Sequence, residues 1–444
     1  MSTHSSSPWV QVFSRLGGRR LGWIALGVGM LLHAWVMTGP VWDRVKRSGH
    51  GSDFASYYYA VQVAAQGVEY RNKAVGSAVF TRDPYETAAL SAQARNDKTR
   101  KGVHPFFYPP PYLLTMAWAL PLELAEAYRA WFWCNGLFLF LGLLALWKWN
   151  RGPGVAAGLG LVLASYTPIW DTYWMGQANI VLVALVAWGL YLVESSKGGL
   201  RSVGGGALMG LACMMKMSPG LLVAWWLVRR RWIAFGSACG CALLVSVASL
   251  PLVDAQTQWR FYTEVLPSFS SGDYNGLTVP ITMYGNHSVT NLLVQGLGSA
   301  QAGGMSPVVR VLSSLLNLGL LAGALWGLRS VSGDAVRVSA AAGALVVLML
   351  LVPAYTYEHH MALMVIPLVA LAAGLQARRL SVAWGLGLLA SYGVLAWQLQ
   401  SVKRFGRTLP SELTWLLQES KFFAAVFVGI ACVVLARRSP NPTD

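Results

Sequence analysis

Charge is what this sequence has least of. Only 12% of its 444 residues are charged, about half of the roughly 25% usual in a soluble domain. Meanwhile 55% are hydrophobic and mean hydropathy is +0.47. This shortage excludes an ordinary soluble enzyme, because apolar runs near the roughly 20-residue length of a bilayer crossing recur along the whole chain. Acidic residues are the scarcer sign: 18 Asp and Glu stand against 34 Lys and Arg, for a net charge of +16. In a soluble protein that excess would suggest nucleic acid. Here the basic residues sit in short loops beside apolar runs, which is the positive-inside pattern, so the charge reads as topology and no nucleic-acid partner is expected.

Cysteine is also sparse. All five (Cys134, Cys213, Cys239, Cys241 and Cys432) fall within apolar segments, where cysteine behaves as a small hydrophobe, and no disulfide framework for the loops is expected. Cys239 and Cys241, two apart, fall on different sides of a helix and make no metal site. No Gly-rich nucleotide loop, H-x-x-x-H or C-x-x-C metal pattern occurs, and no cofactor is expected. No soluble domain exists to hold a nucleotide sugar, and the Asp-x-Asp arrangement that binds one with a metal is missing. A sugar donor for such a chain would have to come from the membrane itself.

What is present is an all-α polytopic membrane protein. Arg15, Arg19 and Arg20 precede an apolar run over 21–37, as in a signal peptide, but no A-x-A cleavage pattern follows and the run is long for one. The expectation is an uncleaved first helix behind a cytoplasmic tail, 1–20. Further apolar spans lie near 126–147, 154–170, 176–194, 233–253, 307–328, 335–352, 361–376, 380–400 and 421–436. The shorter stretches 108–122 and 203–228 are ambiguous, the second reading as two short helices broken at Pro219. About 12 crossings are expected within a single membrane domain, 21–438, before a cytoplasmic tail, 439–444. Lys148 and Arg151, Arg229 to Arg231, Arg329 and Arg337, Arg378 and Arg379, and Arg437 and Arg438 mark the cytoplasmic side. The first loop, 42–107, then lies outside, with 254–306 and 353–360. The segment 401–420 also falls outside, although Lys403, Arg404 and Arg407 run against the charge bias. The first loop is far longer than a usual connection of about 4–6 residues. Its stretch from Phe54 to Gln66 reads as an amphipathic helix lying at the membrane surface.

The chemistry-bearing residues gather in those outer loops. Asp53 follows the first span closely. A carboxylate near the interface, partly desolvated, has a raised pKa and can act as a general base toward a hydroxyl. It also reads as an N-cap for the next helix, and the two readings are compatible. Phe106, Phe107, Tyr108, Pro109, Pro110, Pro111 and Tyr112 mark where the chain leaves the loop, since proline suits a first helical turn; Tyr108 can line a site. Gln177 and Asn179 offer amide groups suited to sugar hydroxyls or phosphate, or simply a polar helix start. Lys216 lies in an apolar stretch, where a lysine either meets an anion such as a lipid phosphate or snorkels to an interface. Gly285, Asn286 and Ser288 make a tight polar turn. In Tyr357, Glu358, His359, His360, one histidine can contact a phosphate, while Glu358 also suits a helix start.

Taken in order, these segments resemble glycosyltransferase family 87, integral-membrane enzymes of the GT-C type that include alpha-1,2-mannosyltransferases. The resemblance rests on Asp53 with Tyr57 and Tyr58, then Gly67 and Tyr70. It continues through Phe107, Tyr108, Pro109 and Pro110; Gly176, Gln177 and Asn179; and Gly210, Leu211 and Ala212 with Lys216 and Pro219. Gly285, Asn286 and Ser288, then His359 and His360, complete it. The chain departs from the family pattern at His287, where glutamine is frequent, and at Tyr355 to Glu358, where a tryptophan-containing lead is frequent. The resemblance implies a GT-C fold with interfacial helices in the first loop and a polyprenyl-phosphate sugar donor. It also implies transfer of a hexose, as mannose, to a hydroxyl of a lipid or glycan acceptor at the outer face of the inner membrane. Asp53 would be the base of an inverting displacement. His359, His360 and Lys216 would bind the lipid phosphate, and Tyr57, Tyr58, Tyr108, Gln177, Asn179, Asn286 and Ser288 the substrates. A transporter or flippase of lipid-linked saccharides, or a ligase transferring a whole saccharide from a lipid diphosphate, is the competing reading; for transport, inverted repeats would be expected, and none is visible.

Overall fold

The structure is a computed structural model that describes residues 18–72, 75–98, 103–196, 198–270, 273–274, 277–278, 281–282, 284–297, 300–301 and 304–438. Most of the first tail and all of 439–444 lie outside the described residues. Among those described, the chain is dominated by helices. Five are long and apolar enough to cross a bilayer: Arg19–Ser48, Leu124–Trp149, Pro307–Gly327, Glu358–Gln376 and Leu413–Arg437. Two bent pairs raise the number to seven if each is one span. These are Pro153–Ser165 with Thr167–Met175, bent by 50°, and Val382–Ala396 with Leu399–Gly406, bent by 89°. Four shorter apolar helices, Asn179–Glu194, Leu200–Met215, Trp232–Ala248 and Ala335–Leu351, accompany them.

The helices divide by which faces they bury. The window from Glu358 to Gln376 is 78% enclosed, that of Pro307–Gly327 only 11%. Along the latter, Val308, Val311, Leu312, Leu315 and Leu318 are exposed, and their three- and four-residue spacing makes one apolar stripe. Such a stripe suits lipid. Ala335–Leu351, by contrast, is buried almost throughout from Val338 onward.

Without a hydrophobic effect between helices in lipid, close packing has to hold them together, and small residues allow it. The first helix lies against Pro153–Ser165 in this way: a Cβ at Gly29 would stand 2.1 Å from the Gly160 carbonyl oxygen. Leu200–Met215 meets Trp232–Ala248 through Gly206 and Gly210, where a Cβ would stand 2.4 and 2.3 Å from the carbonyl oxygens of Ala234 and Ala238.

Several expectations change. The first helix runs on past residue 41 through a wide turn at Met37–Val41, with Pro40 inside it, into Trp42–Ser48, so the first loop begins later. Phe54–Gln66 is a helix, but every side chain from Phe54 to Ala64 is buried. It is enclosed by protein and does not lie on a surface with one apolar face. The stretch 108–122 holds only Tyr112–Met116 and a 3-10 turn, Ala117–Ala119, too short to cross. The stretch 203–228 keeps its expected form, two helices, Leu200–Met215 and Gly220–Val228, parted at Lys216 to Pro219. The last helix starts at Ser411, which shortens the segment placed before it.

Candidate functional site

Asp53 owes its position to two glycines. Gly51 (φ +56°) and Gly176 (φ +73°) hold left-handed turns that other residues disfavour. A Cβ at Gly51 would come 2.8 Å from the Met175 carbonyl oxygen, and one at Gly176 would come 2.5 Å from the Cβ of Phe54. The two turns therefore press together, and the Asp53 amide donates to the Met175 carbonyl at 3.1 Å. Trp131 braces the same place by donating its indole N–H to the Gly176 carbonyl at 2.9 Å, and Tyr128 donates to the Trp174 carbonyl.

This register brings Asp53 and Gln177 side by side, and the Gln177 amide donates to the Asp53 carboxylate. The carboxamide oxygen lies 2.8 Å from the Tyr57 hydroxyl and 3.1 Å from the Tyr108 hydroxyl, which are 2.8 Å from each other. Two phenolic protons serve that triangle of oxygens. The oxygen end of the amide thus belongs with the tyrosines and its N–H end with Asp53. Asp53 occupies the N-cap position of Phe54–Gln66, but its side chain makes no capping bond; the carboxylate is turned to Gln177 instead. Burial pushes its carboxyl above the ordinary value, and the Gln177 bond and the charges of His104 and Lys216 only partly offset this.

Lys216 and the histidines form the opposite side. Where Leu200–Met215 ends, Lys216 is extended and its ammonium donates to the Asn179 carboxamide oxygen at 3.2 Å. The same ammonium lies 5.9 Å from the centre of the Tyr108 ring. Asn179 spans the gap, donating its Nδ2 to the His359 carbonyl at 3.0 Å, and Thr172 donates to that carbonyl at 3.2 Å. Lys216 lies close enough to Asp53, His359 and His360 to act electrostatically on all three. The two imidazoles cross at 84° with centres 4.4 Å apart. The Tyr357 amide donates to Nδ1 of His360 at 3.1 Å, so Nε2 is the end left for a ligand. Asp53, Lys216 and His360 keep partial exposure, while Gln177, Asn179, Tyr57 and Tyr108, which hold them, are buried.

Other expected residues go elsewhere. The Tyr58 hydroxyl donates to the Leu122 carbonyl at 2.7 Å; it lines a separate cavity of about 750 Å³ with His50, Gln62 and Asp97. Asn286 and Ser288 spend their side chains on backbone. Asn286 donates to the carbonyls of Ile281 and Ala354 at 2.9 Å each and accepts from the Thr356 amide at 2.8 Å. Ser288 donates to the Ala354 carbonyl at 2.9 Å. They clamp the chain just ahead of the histidines and face no open site.

One group was missed by sequence reasoning. Glu358, buried, takes His287 Nε2 at 2.8 Å on one oxygen and the Lys421 ammonium on the other. It therefore ties the last helix to the 3-10 helix Glu358–Met364, whose first residue it is. The available signal was Lys421 itself, a cation at the head of an apolar run. Among the described residues, no group of three or more His, Cys, Asp or Glu side chains is arranged to hold a metal ion.

The sequence profile of glycosyltransferase family 87 matches residues 106–354, more than half of the chain. The chain belongs to glycosyltransferase family 87. The family 87 match contains Tyr108, Gln177, Asn179, Lys216, Asn286 and Ser288, whereas Asp53, Tyr57, Tyr58, His359 and His360 fall outside it. No curated protein matches the chain. Among solved structures, the chain is similar to ArnT from Cupriavidus metallidurans bound to undecaprenyl phosphate. The identity is 17% and the TM-score 0.38, over 97% of this chain and 77% of that one, a likeness too slight to bear on function. As a member of family 87 with five to seven candidate spans, this is a multi-pass membrane glycosyltransferase.

Proposed function

We propose that the protein moves a hexose, as mannose, from a polyprenyl-phosphate sugar to a hydroxyl of a lipid or glycan acceptor at the outer face of the inner membrane, within one GT-C membrane domain. One observation carries the reading. A carboxylate with a raised pKa stands on one side of a cluster whose other side is a lysine and two histidines, with Gln177, Tyr108 and Asn179 joining them.

The chemistry follows from that pairing. The acceptor oxygen attacks the anomeric carbon, and its proton passes to Asp53. The bond from the anomeric carbon to the phosphate oxygen breaks, and the lipid phosphate leaves with the electron pair. Attack from the face opposite the leaving group inverts the configuration. Lys216 and the Nε2 end of His360 supply charge and hydrogen bonding to the departing phosphate, His359 packing beside it, as preorganised donors that need no rearrangement when charge develops. Tyr57 and Tyr108 act through Gln177, keeping its N–H on Asp53. No metal or cofactor enters this scheme.

The test is sugar transfer in liposomes from a polyprenyl-phosphate hexose. Asp53→Asn should abolish turnover and leave donor binding in place, and Lys216→Met should weaken donor binding. Full turnover by Asp53→Asn would sink the base assignment. Saccharide movement across the bilayer without a new glycosidic bond would favour a flippase.

A further inference from the structure

The three cations that run against the charge bias, Lys403, Arg404 and Arg407, have a structural setting that gives them a role. Val382–Ala396 is followed, after Trp397 and Gln398, by Leu399–Gly406 at an 89° bend. Taking Val382–Ala396 as the crossing part of this bent pair, a helix at nearly a right angle to it runs along the membrane plane. Its inner face is Val402 and Gly406, four apart and both buried. Its outer side presents Arg404, Phe405 and Arg407, all exposed. Phe405 and Trp397 are 48% and 39% exposed, and their rings lie 6.0 Å apart. Exposed aromatic rings beside guanidinium groups are the composition of a headgroup-level helix. Among the described residues, neither Arg404 nor Arg407 forms an ion pair.

We propose that Leu399–Gly406 lies in the headgroup layer and binds the phosphates of anionic phospholipids through Arg404 and Arg407. The occupant is the bilayer surface itself, by charge complementarity with two unpaired guanidinium groups flanked by membrane-anchoring rings. The proposal requires only that Val382–Ala396 crosses the membrane and is independent of the sugar-transfer reading. It also gives these cations a role on a side where the charge bias disfavours them. An anionic surface attracts nearby cations individually, each adding severalfold to affinity.

The helix also touches the loop that clamps the candidate site. Leu399 packs on Gly285, where a Cβ would stand 3.0 Å from Leu399 Cδ2, and Lys403 lies 4.6 Å from the centre of the Tyr284 ring. The next residues, Asn286 and Ser288, grip the backbone at Ala354 and Thr356. Lipid bound at Arg404 and Arg407 therefore steadies the 284–288 turn.

The experiment uses the full-length protein in detergent, with thermal unfolding followed as phosphatidylglycerol, phosphatidylcholine or inorganic phosphate is added. Phosphatidylglycerol should raise the Tm and the other two should not. Arg404→Gln with Arg407→Gln should need at least roughly tenfold more phosphatidylglycerol for the same shift. Arg404→Lys with Arg407→Lys, which keeps the charge, should respond like the wild type and decides the matter if the glutamine variant is less stable without lipid. Hydrogen exchange at 284–288 should slow with phosphatidylglycerol in the wild type and the lysine variant, and not in the glutamine variant. A glutamine variant that responds as the wild type does, a lysine variant that does not respond, or an equal effect of phosphatidylcholine or free phosphate would overturn the lipid site. Unchanged exchange at 284–288 would overturn the coupling.

Discussion

At Asp53, burial favours the protonated acid, while the Gln177 amide and the Lys216 charge favour the carboxylate. Burial wins, so the group gains its proton at a higher pH than a free aspartate does. A general base works only when deprotonated. The transfer rate should therefore fall as pH falls through that raised value, with a midpoint above the ordinary 3.8. A pH–rate profile of the wild type should show this acid limb, and Asp53→Asn, which has no base to offer, should show no turnover at any pH along it. Gln177→Glu replaces a donor with a like charge. It should move the acid limb to still higher pH, measured in the same way, and a profile that does not move would remove Gln177 from contact with the base. Asp53, Lys216, Gln177 and Asn179 were legible in the sequence because each is a polar group placed where solvation is costly. Their partnerships were not, because Asp53 and Gln177 are 124 residues apart and only packing of the Gly51 and Gly176 turns brings them together.

Among the elements, apolar length located the long helices closely: 126–147 became Leu124–Trp149 and 307–328 became Pro307–Gly327. Phe54–Gln66 was misread because its polar groups looked solvent-seeking. In the fold Ser56 donates to the His104 carbonyl at 2.8 Å, while Tyr57 and Tyr58 bond Gln177 and the Leu122 carbonyl. Partners supplied by distant segments turn a half-polar helix into a buried one, and hydrophobic periodicity carries no trace of them. Two predictions belong here. Lys421→Met leaves Glu358 buried without its cation and should cost about 3–5 kcal/mol, seen as a lower Tm, with much of the loss recovered when Glu358→Gln is added. Gly210→Leu drives a side chain into the Ala238 backbone and should cost about 1–3 kcal/mol in the same assay. Both variants unfolding with the wild type would mean that neither contact holds these helices.

For the whole molecule, the low charge and recurring apolar runs were enough to read a polytopic membrane protein, and the ordered motifs were enough to read its family, which the profile match shows. The break at Pro219 was legible in the sequence, whereas the bends after Ser165 and Ala396, within stretches read as single spans, were not. The break at Lys216 matters most for the candidate site: it leaves the ammonium on Asn179 and within electrostatic reach of Asp53 and the histidines. The central claim is that this meeting point moves a sugar from a lipid phosphate with Asp53 as base. The most direct measurement is transfer from a polyprenyl-phosphate hexose to an acceptor in liposomes, for the wild type and Asp53→Asn, with donor binding measured alongside. Product from the wild type, none from the variant, and equal donor binding by both is the predicted result. Product from both at the same rate would contradict it.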